Sequence, residues 1–101
     1  MTIDRRDPID FAAVNAHCLA RADTLLPFWL DGRRVGDEFE ALNPTRPDRK
    51  PGSFRINLRS GKWADFATGD RGGDLVSLYA YVKGMRQVEA ARDLIHRWGM
   101  V

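Results

Sequence analysis

Ser53-Phe54-Arg55-Ile56-Asn57-Leu58-Arg59-Ser60-Gly61-Lys62-Trp63-Ala64-Asp65-Phe66 carries the clearest pattern in the chain. Phe54, Ile56 and Leu58 alternate with Arg55, Asn57 and Arg59, the period of a strand with one buried face. Ser60-Gly61 then reads as a two-residue hairpin loop, setting Leu58 opposite Trp63 and Arg59 opposite Lys62 on the two faces of the hairpin. One face is apolar and the other basic, with Phe66 on the basic side. Such a hairpin is the centre of an antiparallel sheet.

Working upstream, Glu38-Phe39-Glu40-Ala41-Leu42 alternates in the same way and predicts a second, half-buried strand. Between the two strands, residues 43–52 hold three prolines and form a loop, because proline excludes a helix there. Leu25 to Leu30 is an apolar cluster interrupted by Pro27, and Asp31 to Gly36 reads as glycine-marked turns in a bent connection. An N-terminal helix is expected before it, with Asp7 as cap, Pro8 in the first position and Phe11, Val14, Cys18 and Ala22 on one stripe, ending near residues 22–26.

Downstream, residues 67–73 are turn-rich, and Asp74 is placed to cap a helix whose Leu75, Leu78, Tyr79 and Val82 share a face before Gly84 stops it. A last helix spans Gln87 to Trp98, with Val88, Ala91, Leu94, Ile95 and Trp98 inward, Glu89, Arg92, Asp93 and Arg97 outward, and Gly99 as terminator. These elements predict a single α+β module over residues 1–101. A small antiparallel sheet of three to five strands is flanked by an N-terminal helix and a C-terminal helical pair.

Composition bounds the function classes. At 101 residues, 44% hydrophobic and 30% charged, the chain is one folding domain and too small for a multi-step enzyme. No apolar run approaches the ~18 residues that span a bilayer, and the N-terminus lacks the apolar stretch of a signal peptide, so a cytoplasmic location without a membrane role is expected. The single cysteine, Cys18, excludes an internal disulfide and a cysteine-built zinc ribbon, and reads as a small core hydrophobe. His17 and His96 read as surface or helix-end residues with no nucleophile beside them. Gly69 to Asp74 leads into a helix N-terminus, but Asp70 and Asp74 would repel a phosphate and no Lys-Ser/Thr follows, so it is no P-loop. Asp65, Asp70 and Asp74 lack calcium-loop spacing. Neither catalysis nor a cofactor is expected.

The charge distribution is more informative than the net charge of +2. Residues 46–62 hold six basic side chains and one acidic. Arg46, Arg49 and Lys50 on the proline loop and Arg55, Arg59 and Lys62 on the hairpin compose a cationic surface able to follow a phosphate backbone, with Arg71 as a further candidate. Phe66 on the same face adds a stacking platform for bases, whereas Trp63 is expected in the core.

The order of these motifs resembles a known family. Asn43-Pro44-Thr45-Arg46, Gly52-Ser53-Phe54, the hairpin, Trp63-Ala64-Asp65-Phe66-Ala67-Thr68-Gly69, Gly73-Asp74-Leu75 and the Glu89-Ala90-Ala91 helix resemble, over Glu38 to Trp98, the N-terminal zinc-binding domain of bacterial and phage DNA primases. In that family a Cys-Pro-x-His segment precedes the hairpin and a Cys-Phe-Gly-Cys-Gly knuckle follows it. Asn43 and Arg46 stand at the first cysteine and the histidine, and Asp65 and Thr68 at the knuckle cysteines, so all four zinc ligands are replaced. The zinc-less signature looks like the N-terminal modules of primase-helicase proteins from phages, plasmids and integrated mobile elements.

The resemblance implies a zinc-ribbon-like fold without zinc. The knuckle would be held by capping from Asp65 or Thr68 and by packing of Trp63 and Phe66. It implies a non-catalytic DNA-binding module that prefers single strands and serves replication or priming, with a separately encoded polymerase, primase or helicase as partner. The rival expectation is an adaptor that docks on such a protein without touching nucleic acid, which Asp37, Glu38 and Glu40 near the basic loop favour.

Overall fold

A computed structural model describes residues 8–100. Two helices, α1 (Phe11–Ala20) and α2 (Ala22–Trp29), precede strands β1 (Gly32–Val35), β2 (Glu38–Ala41), β3 (Phe54–Asn57), β4 (Trp63–Asp65) and β5 (Arg71–Gly72), and helices α3 (Leu75–Lys83) and α4 (Gln87–Trp98) close the chain. The strands form one antiparallel sheet in sequence order, so the predicted α+β layout holds, with five strands. None of the described helices is long and apolar enough to cross a membrane.

The N-terminal region differs from expectation in three ways. Asp10, not Asp7, caps α1, accepting from the Ala13 amide at 3.0 Å; Asp7 lies outside the described residues, and Pro8 precedes the helix rather than opening it. The single predicted helix is two, because the chain breaks at Arg21, whose amide reaches back to the Cys18 and Leu19 carbonyls. Pro27 does not interrupt the apolar cluster but sits within α2. It removes one donor near the helix end, and the burial of Leu25, Leu26 and Trp29 on the inward face outweighs that loss.

Residues 31–36 were expected to be turns, yet Gly32–Val35 pairs with β2 in the register Arg34↔Phe39 and Val35↔Glu38. Gly36-Asp37 is therefore a two-residue hairpin turn, and Gly36 takes its φ of 62° without the penalty a side chain would bring. The central hairpin also shifts. Ile56, not Leu58, lies opposite Trp63, and the Asn57 amide reaches the Lys62 carbonyl. Residues 58–61 make a longer loop, closed by the Asn57 side-chain oxygen, which accepts from the Arg59 and Ser60 amides at 2.9 Å each. Arg59 consequently faces Asp37 at 3.0 Å rather than Lys62.

One face of the sheet is covered. Phe39, Ala41, Phe54, Ile56 and Trp63 point into a core shared with the helices, where Phe54 and Trp63 pack on Tyr81 of α3. Asp74 caps α3 as predicted, accepting from the Ser77 amide at 2.8 Å, and Gly84 and Gly99 end α3 and α4 in the left-handed conformation. Asn15 of α1 adds a long-range cap, accepting the Val76 amide at 2.9 Å. Asp93, expected to point outward, instead accepts the Tyr79 hydroxyl. Cys18 is buried, and burial pushes its thiol up to about 12, so it packs rather than reacts.

Gly72 sits where β5 meets the Trp63 ring. A Cβ there would lie 2.4 Å from Trp63 Nε1 and 2.6 Å from Ser77 Oγ, two atoms that are themselves hydrogen-bonded at 3.0 Å. Gly72→Ala is expected to destabilise the domain by about 1–3 kcal/mol. Urea unfolding followed by tryptophan fluorescence would measure it, and an unchanged midpoint would contradict the close packing.

Candidate functional site

The residues on the sheet face that no described helix covers follow from the register. Arg33 pairs with Glu40, Glu40 with Arg55, Arg55 with Ala64 and Ala64 with Arg71, so five residues on five strands form one row across the sheet: Arg, Glu, Arg, Ala, Arg. Strands lie about 4.8 Å apart, which spaces successive arginines by roughly 10 Å. A second row holds Val35, Glu38 and Asn57, with Lys62 beside Asn57. Phe66 follows β4 on the same side and is 72% exposed, with the Arg55 guanidinium over its ring at 5.8 Å from the centroid.

Not every cation here is equally available. Arg55 lies 3.7 Å from Glu40 and 4.0 Å from Glu38, and its Nε donates to the Gly52 carbonyl at 2.7 Å. Arg33, Lys62 and Arg71 are exposed and make no ion pair among the described residues, and the same is true of Arg49 and Lys50 on the 43–52 loop. Phe66, Arg55, Lys62 and Arg71 thus gather on one face as expected. Arg59 stands on the 58–61 loop, tied to Asp37.

Arg46 departs furthest from its expected role. Its Nε donates to Asp65 Oδ2 at 2.8 Å and its Nη2 to Ser53 Oγ at 2.9 Å, with Asp48 at 3.4 Å, so the guanidinium is committed inward. Asp65 is fully buried at the end of β4 and also accepts from Asn43 Nδ2 at 2.8 Å and from the Ala67 amide at 2.9 Å. Burial by itself would raise this carboxyl, but the hydrogen bonds from Arg46, Asn43 and Ala67 outweigh it and hold the group well below the usual carboxylate range. Asn43 Oδ1 accepts the Thr45 amide at 2.9 Å, closing an Asx turn around Pro44. Tyr81 joins from α3, accepting from Asn43 at 2.9 Å and donating to Asp70 at 2.7 Å.

Asn43, Arg46 and Asp65 therefore meet in one buried polar cluster, which ties the proline loop, the 65–70 knuckle and α3 together. Thr68 does not enter it. That side chain is exposed and caps locally, accepting the Asp70 amide at 3.2 Å. Trp63 packs in the core as expected, while Phe66 contributes no core packing. Because Asp65 and Phe66 are neighbours pointing to opposite sides of β4, the cluster sets where Phe66 stands on the open face.

Asn57 shares the polar face with Arg55 as the alternation predicts, and Glu38 and Glu40 lie beside the basic residues, whereas sequence reasoning missed Arg33 as a member of the face and Tyr81 and Asp48 as members of the cluster. The available signal for Arg33 was Gly36-Asp37 flanked by two short runs, a hairpin pattern. Compared with known proteins, the chain matches no family model and no curated sequence.

Proposed function

We propose that the chain is a non-catalytic module that binds single-stranded DNA across the open face of its sheet. The observation that carries the reading is the Arg33–Glu40–Arg55–Ala64–Arg71 row with Lys62 and the exposed Phe66 beside it. Cations spaced along a path neutralise successive phosphates, and an exposed aromatic ring stacks an unpaired base, which duplex DNA does not offer. The resemblance to primase zinc-binding domains supports the same reading and suggests a setting in replication or priming on a mobile element. In that setting the Asn43–Arg46–Asp65 cluster takes over the bracing that a metal supplies in the family.

Fluorescence anisotropy with labelled single-stranded and duplex DNA tests this. Single strands are expected to bind more tightly, with log affinity falling against log salt at a slope of about −3, from four cations at about 0.7 each. Absence of binding to either form would overturn the reading. It would favour the adaptor instead, for which Phe28 of α2, 72% exposed beside the Trp98 ring of α4, is the candidate docking residue.

A further inference from the structure

The open face is not uniform. Ala64 is the one small side chain in the central row, and beside it the surface dips into a recess of about 190 Å³ walled by Phe66, Arg55, Glu38, Asn57 and Lys62. That volume suits a single planar ring rather than a drug-sized ligand. Phe66 supplies a face to stack on, and the polar groups around it have a definite order.

Glu38, Asn57 and Lys62 follow one another across β2, β3 and the residue just before β4. Glu38 is a carboxylate, an acceptor only, and its nearest cation is Arg55 at 4.0 Å, beyond hydrogen-bond reach. The Asn57 side-chain oxygen is occupied by the Arg59 and Ser60 amides, which leaves its NH2 as the group to offer a ligand. Lys62 can only donate. Along that row the recess thus presents acceptor, donor, donor in sequence, with Arg55 in the neighbouring row held by the Gly52 carbonyl and over the Phe66 ring.

We propose, building on the single-strand reading, that this recess holds one base stacked on Phe66 and prefers cytosine over uracil or thymine. The cytosine edge offers an N4 amino donor followed by the N3 and O2 acceptors, the complement of Glu38, Asn57 and Lys62. Uracil and thymine set a carbonyl oxygen against the Glu38 carboxylate and an N3–H against the Asn57 donor, so two contacts become repulsive. Glu38 is then the specificity-determining residue, and the arginine row supplies affinity that does not depend on the base.

The test compares labelled oligo-dC and oligo-dU of about 12 nucleotides, within the usual site size of single-strand binders, at neutral pH. The two ligands differ only at position 4 and in N3 protonation. Oligo-dC is expected to bind about fivefold more tightly or better. Glu38→Gln is expected to bring the ratio close to one, because a Gln side chain can donate as well as accept. Ala64→Leu, which fills the recess, is expected to lower oligo-dC affinity to the oligo-dU level while the arginine row still holds both. Equal binding of the two by the unmodified protein, or a ratio that survives Glu38→Gln, would overturn the base preference alone. Failure to bind either oligomer would overturn the single-strand reading itself.

Discussion

Replacing Arg33, Lys62 and Arg71 together with alanine is expected to weaken single-stranded DNA binding about 100-fold at low salt and to flatten the salt slope from about −3 to about −1. These three cations are exposed and without ion pairs among the described residues, so they are the part of the open face whose charge no described side chain neutralises. Arg55, left in place, is shared with Glu38 and Glu40 and accounts for the residual slope. Because no packing or hydrogen bond is removed, circular dichroism and the thermal midpoint should stay as they are, within about 0.5 kcal/mol of stability. The slope separates this mechanism from others: a loss of affinity with the slope intact would mean that the cations contact no phosphate. Phe66→Ala acts on a different term, lowering affinity with little change in slope, since stacking releases no counterions.

The parts of the fold that local chemistry dictates were legible from the residues. Asp74 followed by an apolar stripe and Gly84 bounds α3, and Gly99 ends α4, because caps and left-handed terminators leave a mark within a few positions. The hairpin register was not legible in the same way. Ser60-Gly61 reads as a two-residue loop, and the longer one is held by the Arg59 and Ser60 amides on Asn57 Oδ1 and the Gly61 amide on the Asn57 carbonyl. That difference moves Arg59 off the hairpin face. Arg33 was hidden by the glycines on either side of it, which read as turns although one of them lies in a strand. The buried cluster joins residues 22 and 38 positions apart, Asn43 with Asp65 and with Tyr81, and no periodicity reports contacts of that range. Asn43, Arg46 and Asp65, three of the four positions aligned with zinc ligands in the resembled family, are hydrogen-bonded to one another, while the Thr68 side chain stays outside the cluster.

Asp65→Ala is expected to cost about 3 kcal/mol, a shift of about 15 °C in the thermal midpoint of a domain this size. The carboxylate is fully buried and takes hydrogen bonds from Arg46, Asn43 and the Ala67 amide, so its removal takes a shared acceptor from three donors at once. Asn43 is itself buried and cannot turn to water, whereas Arg46 is partly exposed and can, which keeps the loss near the lower end for a broken buried pair. The pH dependence follows from the direction in which the Asp65 carboxyl is held. Its folded value lies below the ordinary carboxylate value near 4 that applies in the unfolded chain, so between the two the unfolded state binds more protons. Stability from this group is complete above about pH 4 and is lost progressively as the pH falls below it. Asp65→Asn should therefore lower stability at neutral pH and flatten the acid limb of the curve, and an acid limb unchanged by that substitution would show that other carboxylates govern it. The proposed binding face should register the same loss. With the cluster gone, the 43–52 loop and the knuckle that carries Phe66 lose their shared anchor, so Asp65→Ala is expected to weaken single-strand binding at temperatures well below its own midpoint, although Asp65 is itself buried and on the opposite side of β4 from Phe66.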